Sequence, residues 1–112
     1  MPKRKSLFNN ADNTSKKISL NDSVYNYSYL YVESEVATYN AIIPIFNDKQ
    51  TSFRGIGGWS GTANVGSTHT QGAISNSGKT IEFGYFVSIV HNSASNHDKG
   101  TARNVCKIVG VK

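Results

Sequence analysis

The sequence has a single cysteine and no long apolar run, and each of these shortages excludes a class of protein. Its one cysteine, Cys106, rules out an internal disulfide. Because Cys106 lies in an apolar run, we expect it to pack as a small hydrophobe rather than act as a reactive thiol. No apolar run approaches the roughly 18 residues of a membrane-spanning helix, and residues 1–10 lack the apolar core of a secretory signal. We therefore expect no membrane partner.

Catalytic and metal-binding patterns are also missing. The seven acidic residues and three histidines are scattered, whereas acid–base catalysis typically uses paired carboxylates or a histidine with an orienting acid. Glu33 and Glu35 share a strand face, but such spacing is ordinary on a solvated strand. No His or Cys spacing matches a metal site. We therefore predict that the protein is not an enzyme and uses no metal or other cofactor. A hydrolase using His91 or His97 is the distant alternative.

What the sequence does contain is typical of short strands joined by polar turns. Ser, Asn, Thr and Gly are abundant, charged residues make up 17%, and no window has the apolar spacing of an amphipathic helix. Runs of β-branched and aromatic residues alternate with turn residues at near-regular spacing. The chain is therefore predicted to be all-β, an antiparallel β-sandwich or jelly-roll-like barrel of about seven short strands. The strands are expected at 17–20, 25–36, 41–46, 53–59, 69–74, 80–91 and 101–111.

The clearest predicted strand is 80–91, where apolar residues alternate for five steps. The alternation predicts one buried face. Its residues are Ile81, Phe83, Tyr85, Val87 and Ile89. Residues 76–78, Asn-Ser-Gly, are a hairpin signal just before this strand. Residues 78–80 also resemble the end of a phosphate-binding loop, but the first glycine and the following helix of that motif are missing, so we favour the hairpin.

Two other strands carry informative apolar patterns. In 25–36 the even positions Leu30, Val32 and Val36 predict a buried face. The odd positions predict a tyrosine ladder on the other face, formed by Tyr25, Tyr27, Tyr29 and Tyr31. In 101–111 apolar residues fall on both faces, which indicates burial on both sides or a subunit contact.

The basic charge is concentrated at the N-terminus. Residues 1–17 contain five of the 12 basic residues and a single acid, Asp12, so they hold +4 of the formal net charge of +5. We predict a flexible basic N-terminal arm over residues 1–16 and a β-sandwich domain over residues 17–112. Such an arm can contact nucleic acid, but the tyrosine-rich strand has no interspersed Lys or Arg. Nucleic acid is therefore not the expected partner.

Two polar stretches carry residue types that bind sugars. Sugar recognition needs aromatic surface for the apolar faces of the rings and donors with fixed geometry for the hydroxyls. The Gly-rich stretch 53–60 supplies an arginine and the one tryptophan, and the loop around 91–98 is dense in donors and acceptors. The predicted ligand-binding residues are Arg54, Trp59, His69, His91, His97 and Asp98. For Trp59 the equal alternative is a core position, since large aromatic side chains often fill small β-cores.

Several segments together resemble a known family. They are LFNN at 7–10, KISLNDS at 17–23, YSYLYVE at 27–33 and the ending CKIVGVK at 106–112. They are similar to the C-terminal head or tip domains of tail-fibre and baseplate proteins, the receptor-binding proteins of phages and prophages of Gram-positive bacteria. The similar segments lie near the two ends of the chain, so the resemblance spans residues 7–112.

The resemblance implies a β-sandwich or jelly-roll-like tip in a virion, at the phage tail tip or baseplate. It also implies a homotrimer that contacts other tail or baseplate proteins and binds polysaccharide of the host cell wall. The motifs carry over no functional residue, so the predicted binding residues rest on their own chemistry. The alternative function is a purely structural module that oligomerises or assembles a virion or tail complex without binding a ligand.

Overall fold

The computed structural model describes residues 3–60, 65–91 and 99–112, and the predicted all-β fold class is confirmed. The strands of this described part are β1 (Arg4–Asn9), β2 (Lys17–Ser19), β3 (Tyr29–Ser34), β4 (Asn40–Pro44), β5 (Ser52–Ser60), β6 (Val65–Ser75), β7 (Thr80–His91), β8 (Lys99–Ala102) and β9 (Val105–Val111). Two short 3-10 helices cover Val24–Asn26 and Asn76–Gly78. Within the same residues, no helix has the length and apolar character needed to cross a bilayer.

The strands form one antiparallel sheet that curls into a nearly closed barrel. Along the sheet the order is β1-β9-β3-β4-β5-β6-β7-β2. Strand β2 pairs with the first residues of β7, and β8 pairs with its later residues on the same edge. Backbone hydrogen bonds draw the two ends together. The amide of Asn21 donates to Leu7 in β1 (3.0 Å), and the amide of Arg103 donates to Phe86 in β7 (2.8 Å).

The core lies inside the barrel and is built from alternate residues of the strands. In β3, Leu30 and Val32 face the interior, and their cross-strand partners in β4, Ile43 and Ala41, are buried as well. Burying one large aliphatic side chain stabilises the fold by roughly 1.5–3 kcal/mol. Fully buried aliphatic side chains include Leu7, Val24, Leu30, Val32, Ile43, Ile81 and Ile108.

The structure differs from the flexible arm predicted over residues 1–16. Arg4–Asn9 form β1, which pairs antiparallel with β9, with Arg4 opposite Val111. Leu7 has no exposed surface, so its burial holds this strand on the barrel. The basic residues suggested a flexible arm. An edge strand, however, can expose Arg and Lys to solvent while it buries a single apolar side chain.

The tyrosine ladder is shorter than predicted. A 3-10 turn precedes β3 and takes Tyr25 out of the strand. Tyr27 is buried rather than exposed. Only Tyr29 and Tyr31 therefore stand on the outer face of β3, where both are half-buried. Val36, predicted to be buried, lies beyond the end of β3 and is exposed.

A β-bulge in β7 reverses the predicted alternation halfway along the strand. Ile81 and Phe83 face the core as expected, but Phe86 is buried and Tyr85 is exposed. Phe83 and Tyr85 pair with consecutive residues of β6, so Gly84 is the extra residue of the bulge. The residues displaced from the predicted core face are Tyr85, Val87 and Ile89. The bulge thus turns an aromatic side chain outward that simple alternation would bury.

The hairpin predicted at residues 76–78 is confirmed. Asn76, Ser77 and Gly78 take positive φ values of 53°, 55° and 83° and connect β6 to β7. A Cβ atom at Gly78 would also come within 2.3 Å of the Ser23 hydroxyl oxygen. Both the backbone angle and the available space therefore require glycine there.

Candidate ligand-binding face

A hollow of about 450 Å³ lies on the outer face of the barrel, over β4 to β7. Strand alternation places its side chains there, since Arg54 and Ile56 of β5 point outward while Phe53 points into the core and is buried. We call this site the β4–β7 hollow. Its lining side chains are Ile42, Pro44, Arg54, Ile56, His69, Gln71 and Tyr85, together with the residues Gly55 and Thr70 between them.

The floor of the β4–β7 hollow is apolar. Ile42 and Ile56 are cross-strand partners and remain 38% and 61% exposed, and Tyr85 is 41% exposed. Large apolar side chains grouped on the solvent face of a sheet mark a contact surface for a ligand or another protein. Tyr85 adds a flat ring and a hydroxyl group that can form a hydrogen bond.

Polar side chains border this floor. Arg54 on β5 lies directly opposite Gln71 on β6. The Ser67 hydroxyl oxygen lies 2.9 Å from Nε2 of His69 and 2.9 Å from Nε2 of His91, so it helps to orient both imidazoles. Among the described residues no carboxylate lines the hollow. Arg54 is thus a positive charge beside an apolar floor.

The structure brings together part of the predicted binding set. Arg54 and His69 both line the β4–β7 hollow, and His91 is joined to His69 through the serine hydroxyl between them. Trp59 lies on the inner side of β5 instead, away from the hollow. The other two predicted residues, His97 and Asp98, lie outside the described residues.

Trp59 is half-buried and lies on the inner side of β5. Its indole packs against Gly66, where a Cβ atom would lie 2.2 Å from the ring, and it meets the Tyr39 ring edge-on at 5.4 Å. The guanidinium of Arg103 lies 4.1 Å from the centre of the Tyr39 ring and donates through Nε to the Ser88 hydroxyl (2.9 Å). We call Trp59, Tyr39 and Arg103 the barrel plug. Trp59 is thus half-buried on the inner side of β5 and packs beside the buried core, not within it.

Reasoning from the sequence missed Tyr85, Gln71 and Ile56. Alternation assigns Tyr85 to the core, and the bulge at Gly84 reverses that assignment. A glycine inside an otherwise regular strand is a known signal for a bulge, so this error could have been detected. No comparable signal distinguishes an exposed isoleucine such as Ile56 from a buried one.

A second hollow, of about 520 Å³, adjoins the first and lies over β1, β9, β3 and β4. Tyr29 and Tyr31 form part of its wall, Arg4 borders it, and Ile42 lines both hollows. Burial raises the pKa of Tyr31, and the nearby Glu33 raises it further. The Tyr31 phenol therefore favours its neutral form, in which its hydroxyl group faces the Glu33 carboxylate.

Cys106 lies in β9, is buried and lines neither hollow. Burial raises the pKa of its thiol, and the carboxylate of Glu35 raises it further. The thiol is therefore protonated at neutral pH and packs as the sequence predicts. In the part of the chain that the structure describes, no three His, Cys, Asp or Glu side chains are grouped so that they could hold a metal ion.

The structure defines the class of the protein, a small antiparallel barrel with two adjoining hollows on its outer face. No protein-family model matches the chain, and no curated protein or solved structure matches it.

Proposed function

We propose that the protein is a phage or prophage tail-tip module that binds saccharide on the surface of the host cell. The observation that carries the proposal is the β4–β7 hollow, where an apolar floor meets convergent polar groups. The residues assigned to binding are Arg54, Ile56, His69, Gln71 and Tyr85. The resemblance of residues 7–33 and 106–112 to phage tail-tip domains supports a place in the virion, with polysaccharide of the host cell wall as partner.

The side chains of the hollow match the surface of a sugar ring. A pyranose presents C–H groups on its faces and hydroxyl groups around its edge. Ile56 and the ring of Tyr85 can cover a C–H face, Arg54 can donate two parallel hydrogen bonds, and Gln71 offers a donor and an acceptor. The volume of about 450 Å³ lies within the roughly 300–1,000 Å³ of typical ligand sites.

Binding of the full chain to cell-wall polysaccharides from a panel of Gram-positive bacteria tests the proposal. We expect Tyr85→Ala and Arg54→Ala each to weaken binding at least about fivefold, because side chains central to a contact contribute about 1 kcal/mol or more. Tyr85→Phe keeps the ring and should retain most of the affinity. Lys49→Ala is the matched control for Arg54→Ala, since it removes the same charge from an exposed turn.

Two outcomes would contradict the proposal. If the folded protein in its native oligomeric state binds no polysaccharide of the panel, the proposal is wrong. If both alanine variants bind as well as the unmodified protein, the site is not the β4–β7 hollow. Trp59→Ala is unsuitable as a test, because it would empty the barrel plug and reduce stability.

A purely structural assembly role is the second candidate, and exposed apolar side chains favour it. Phe46 is 79% exposed and Ile56 is 61% exposed, and such surface commonly contacts another protein. In this role the face would join the subunits of a homotrimer or contact other tail or baseplate proteins. Light scattering distinguishes the candidates. Ile56→Asp should dissociate an oligomer built on this face, whereas an unchanged oligomer that loses polysaccharide binding supports the first candidate.

A further inference from the structure

The two hollows form a continuous surface across the outer face of the sheet. Ile42, on β4, lines both of them. Arg4 and Lys107 border the hollow over β1, β9, β3 and β4, and Arg54 borders the β4–β7 hollow. Among the residues that the structure describes, no carboxylate lines either hollow. Glu33 lies beside the second hollow and pairs with Lys107 at 3.9 Å, so Arg4 and Arg54 are the cations of this surface for which the described residues show no ion pair.

Strand pairing places two arginines at the ends of one transverse row. Arg4 is paired with Val111, Val111 with Tyr29, and Tyr29 with Pro44. Pro44 and Arg54 then line the same hollow. From β1 to β5 the row crosses four strand spacings, or about 19 Å measured along the sheet. Apolar side chains thus separate the two guanidinium groups.

We propose that this row is a binding track for an extended anionic polysaccharide, with charged groups of the polymer at Arg4 and Arg54. The inference rests on the proposed function and names its ligand class, a polymer several sugar units long with carboxylate or phosphate groups at intervals. A guanidinium binds either anion through two parallel hydrogen bonds. Tyr29 and Pro44 supply apolar contact for the sugar rings between the two arginines.

The same surface mixes basic and aromatic residues, which is also a feature of nucleic-acid-binding proteins. Two observations favour a polysaccharide. A nucleic acid carries a phosphate at every nucleotide, whereas the row has one cation at each end, and the neighbouring Lys107 is paired with Glu33 at 3.9 Å.

The experiment uses the full chain and size-graded fragments of acid-released Gram-positive wall polysaccharide. Neutral dextran fragments of the same lengths and a single-stranded oligothymidylate are the comparison probes. Affinity for the anionic fragments should rise with length until a fragment spans both arginines, and should fall with added salt. Arg4→Ala should weaken binding of long fragments about fivefold and leave short fragments unaffected, while Arg54→Ala weakens both.

Lys17→Ala is the matched control, because it removes the same charge from β2, outside the track. Arg4→Gln keeps the aliphatic stem and repeats the test if Arg4→Ala loosens β1, as thermal melting would show. Support for the track requires the length-dependent loss in at least one of these two variants and none in Lys17→Ala.

Each contrary outcome has its own meaning. If neither Arg4 variant affects long fragments while Arg54→Ala still weakens binding, the track is wrong and the β4–β7 hollow stands. If dextran binds as tightly as the anionic fragments, the anionic class is wrong. If no polysaccharide binds the unmodified protein, the proposed function fails together with the track. If oligothymidylate binds more tightly and depends on Arg4, the surface is a nucleic-acid site instead.

Discussion

At the scale of single residues, Tyr27 shows how one buried side chain fixes a turn. Its ring packs against Gly110, where a Cβ atom would lie about 2.6–2.7 Å from the ring, and its hydroxyl donates to the Asp22 carboxylate (2.8 Å). That carboxylate also accepts from the Ser23 amide and the Asn26 side chain. The hydrogen bond from Tyr27 is the main cause that lowers the pKa of Asp22. Burial, and then Asp22, raise the pKa of Tyr27 to about 12.

The raised pKa of Tyr27 predicts a loss of stability at alkaline pH. The folded chain favours the neutral phenol, so its contribution is complete below the ordinary pKa of 10.0 and is lost as pH rises through about 12. Tyr27→Phe removes this titration and the hydrogen bond. The variant should be less stable by about 1 kcal/mol at neutral pH, and this difference should shrink and then reverse as Tyr27 ionises.

Urea denaturation at neutral pH and near the raised pKa measures this difference. Tyr29→Phe is the matched control, because Tyr29 is only half-buried and stands on the outer face of β3. A difference between the unmodified protein and Tyr27→Phe that stays constant across this range would show that the phenol is not held neutral by the fold.

At the scale of the element, local patterns predicted the faces of strands but not their partners. The alternation in β3 identified Leu30 and Val32 as core residues, and the Asn-Ser-Gly signal identified the turn before β7. Both depend on a few neighbouring residues. Strand β1 depends on pairing with β9, which lies at the other end of the sequence. The bulge at Gly84 depends on a shift of register between β7 and β6. Such pairing leaves only weak marks in one sequence.

The candidate site was predictable to a similar degree. Residue chemistry identified Arg54 and His69, which do line one hollow. It also grouped Trp59 with them, although a spacing of five residues places Arg54 and Trp59 on opposite sides of β5. The side of a strand on which a residue lies follows from the register of the whole sheet, and one bulge is enough to reverse it. Because of the bulge at Gly84, Tyr85 faces outward and is the aromatic residue of the hollow.

Strand β1 gives a direct test of the correction to the predicted arm. Leu7 is fully buried, so Leu7→Ala should reduce the free energy of unfolding by about 2–4 kcal/mol. A flexible arm would show no such cost. The exposed neighbour Ser6 supplies the control, since Ser6→Ala should change stability by less than about 0.5 kcal/mol. Equal unfolding curves for the two variants would show that β1 does not contribute to the folded state.

At the scale of the whole molecule, residues that stabilise the barrel and residues proposed to bind the ligand lie on opposite sides of the same strands. Strands β5 and β6 carry Trp59 and Thr68 on their inner side and Arg54 and His69 on their outer side. The barrel plug is half-buried on the inner side of these strands, while both hollows lie on the outer face. We therefore expect changes to the plug and to the hollows to have separable effects, and the single tryptophan of the chain reports on the plug.

Arg103 is the residue with which to test this separation. It joins distant parts of the chain through the Tyr39 ring, the Ser88 hydroxyl and an ion pair with Glu35 at 3.5 Å. Arg103→Ala should lower the free energy of unfolding by about 1–3 kcal/mol and shift the emission of Trp59 toward longer wavelength, because the indole gains contact with water. Polysaccharide affinity, measured on the folded protein, should not change.

Arg54→Ala should give the opposite pattern, with weaker binding, an unchanged emission spectrum and a stability within about 0.5 kcal/mol of the unmodified protein. The two arginines are thus controls for each other, since each variant removes one positive charge. If folded Arg103→Ala loses as much affinity as Arg54→Ala, the inside and outside of the barrel are coupled. In that case the ligand would bind near the barrel plug, and Trp59 would belong to the binding site as the sequence predicts.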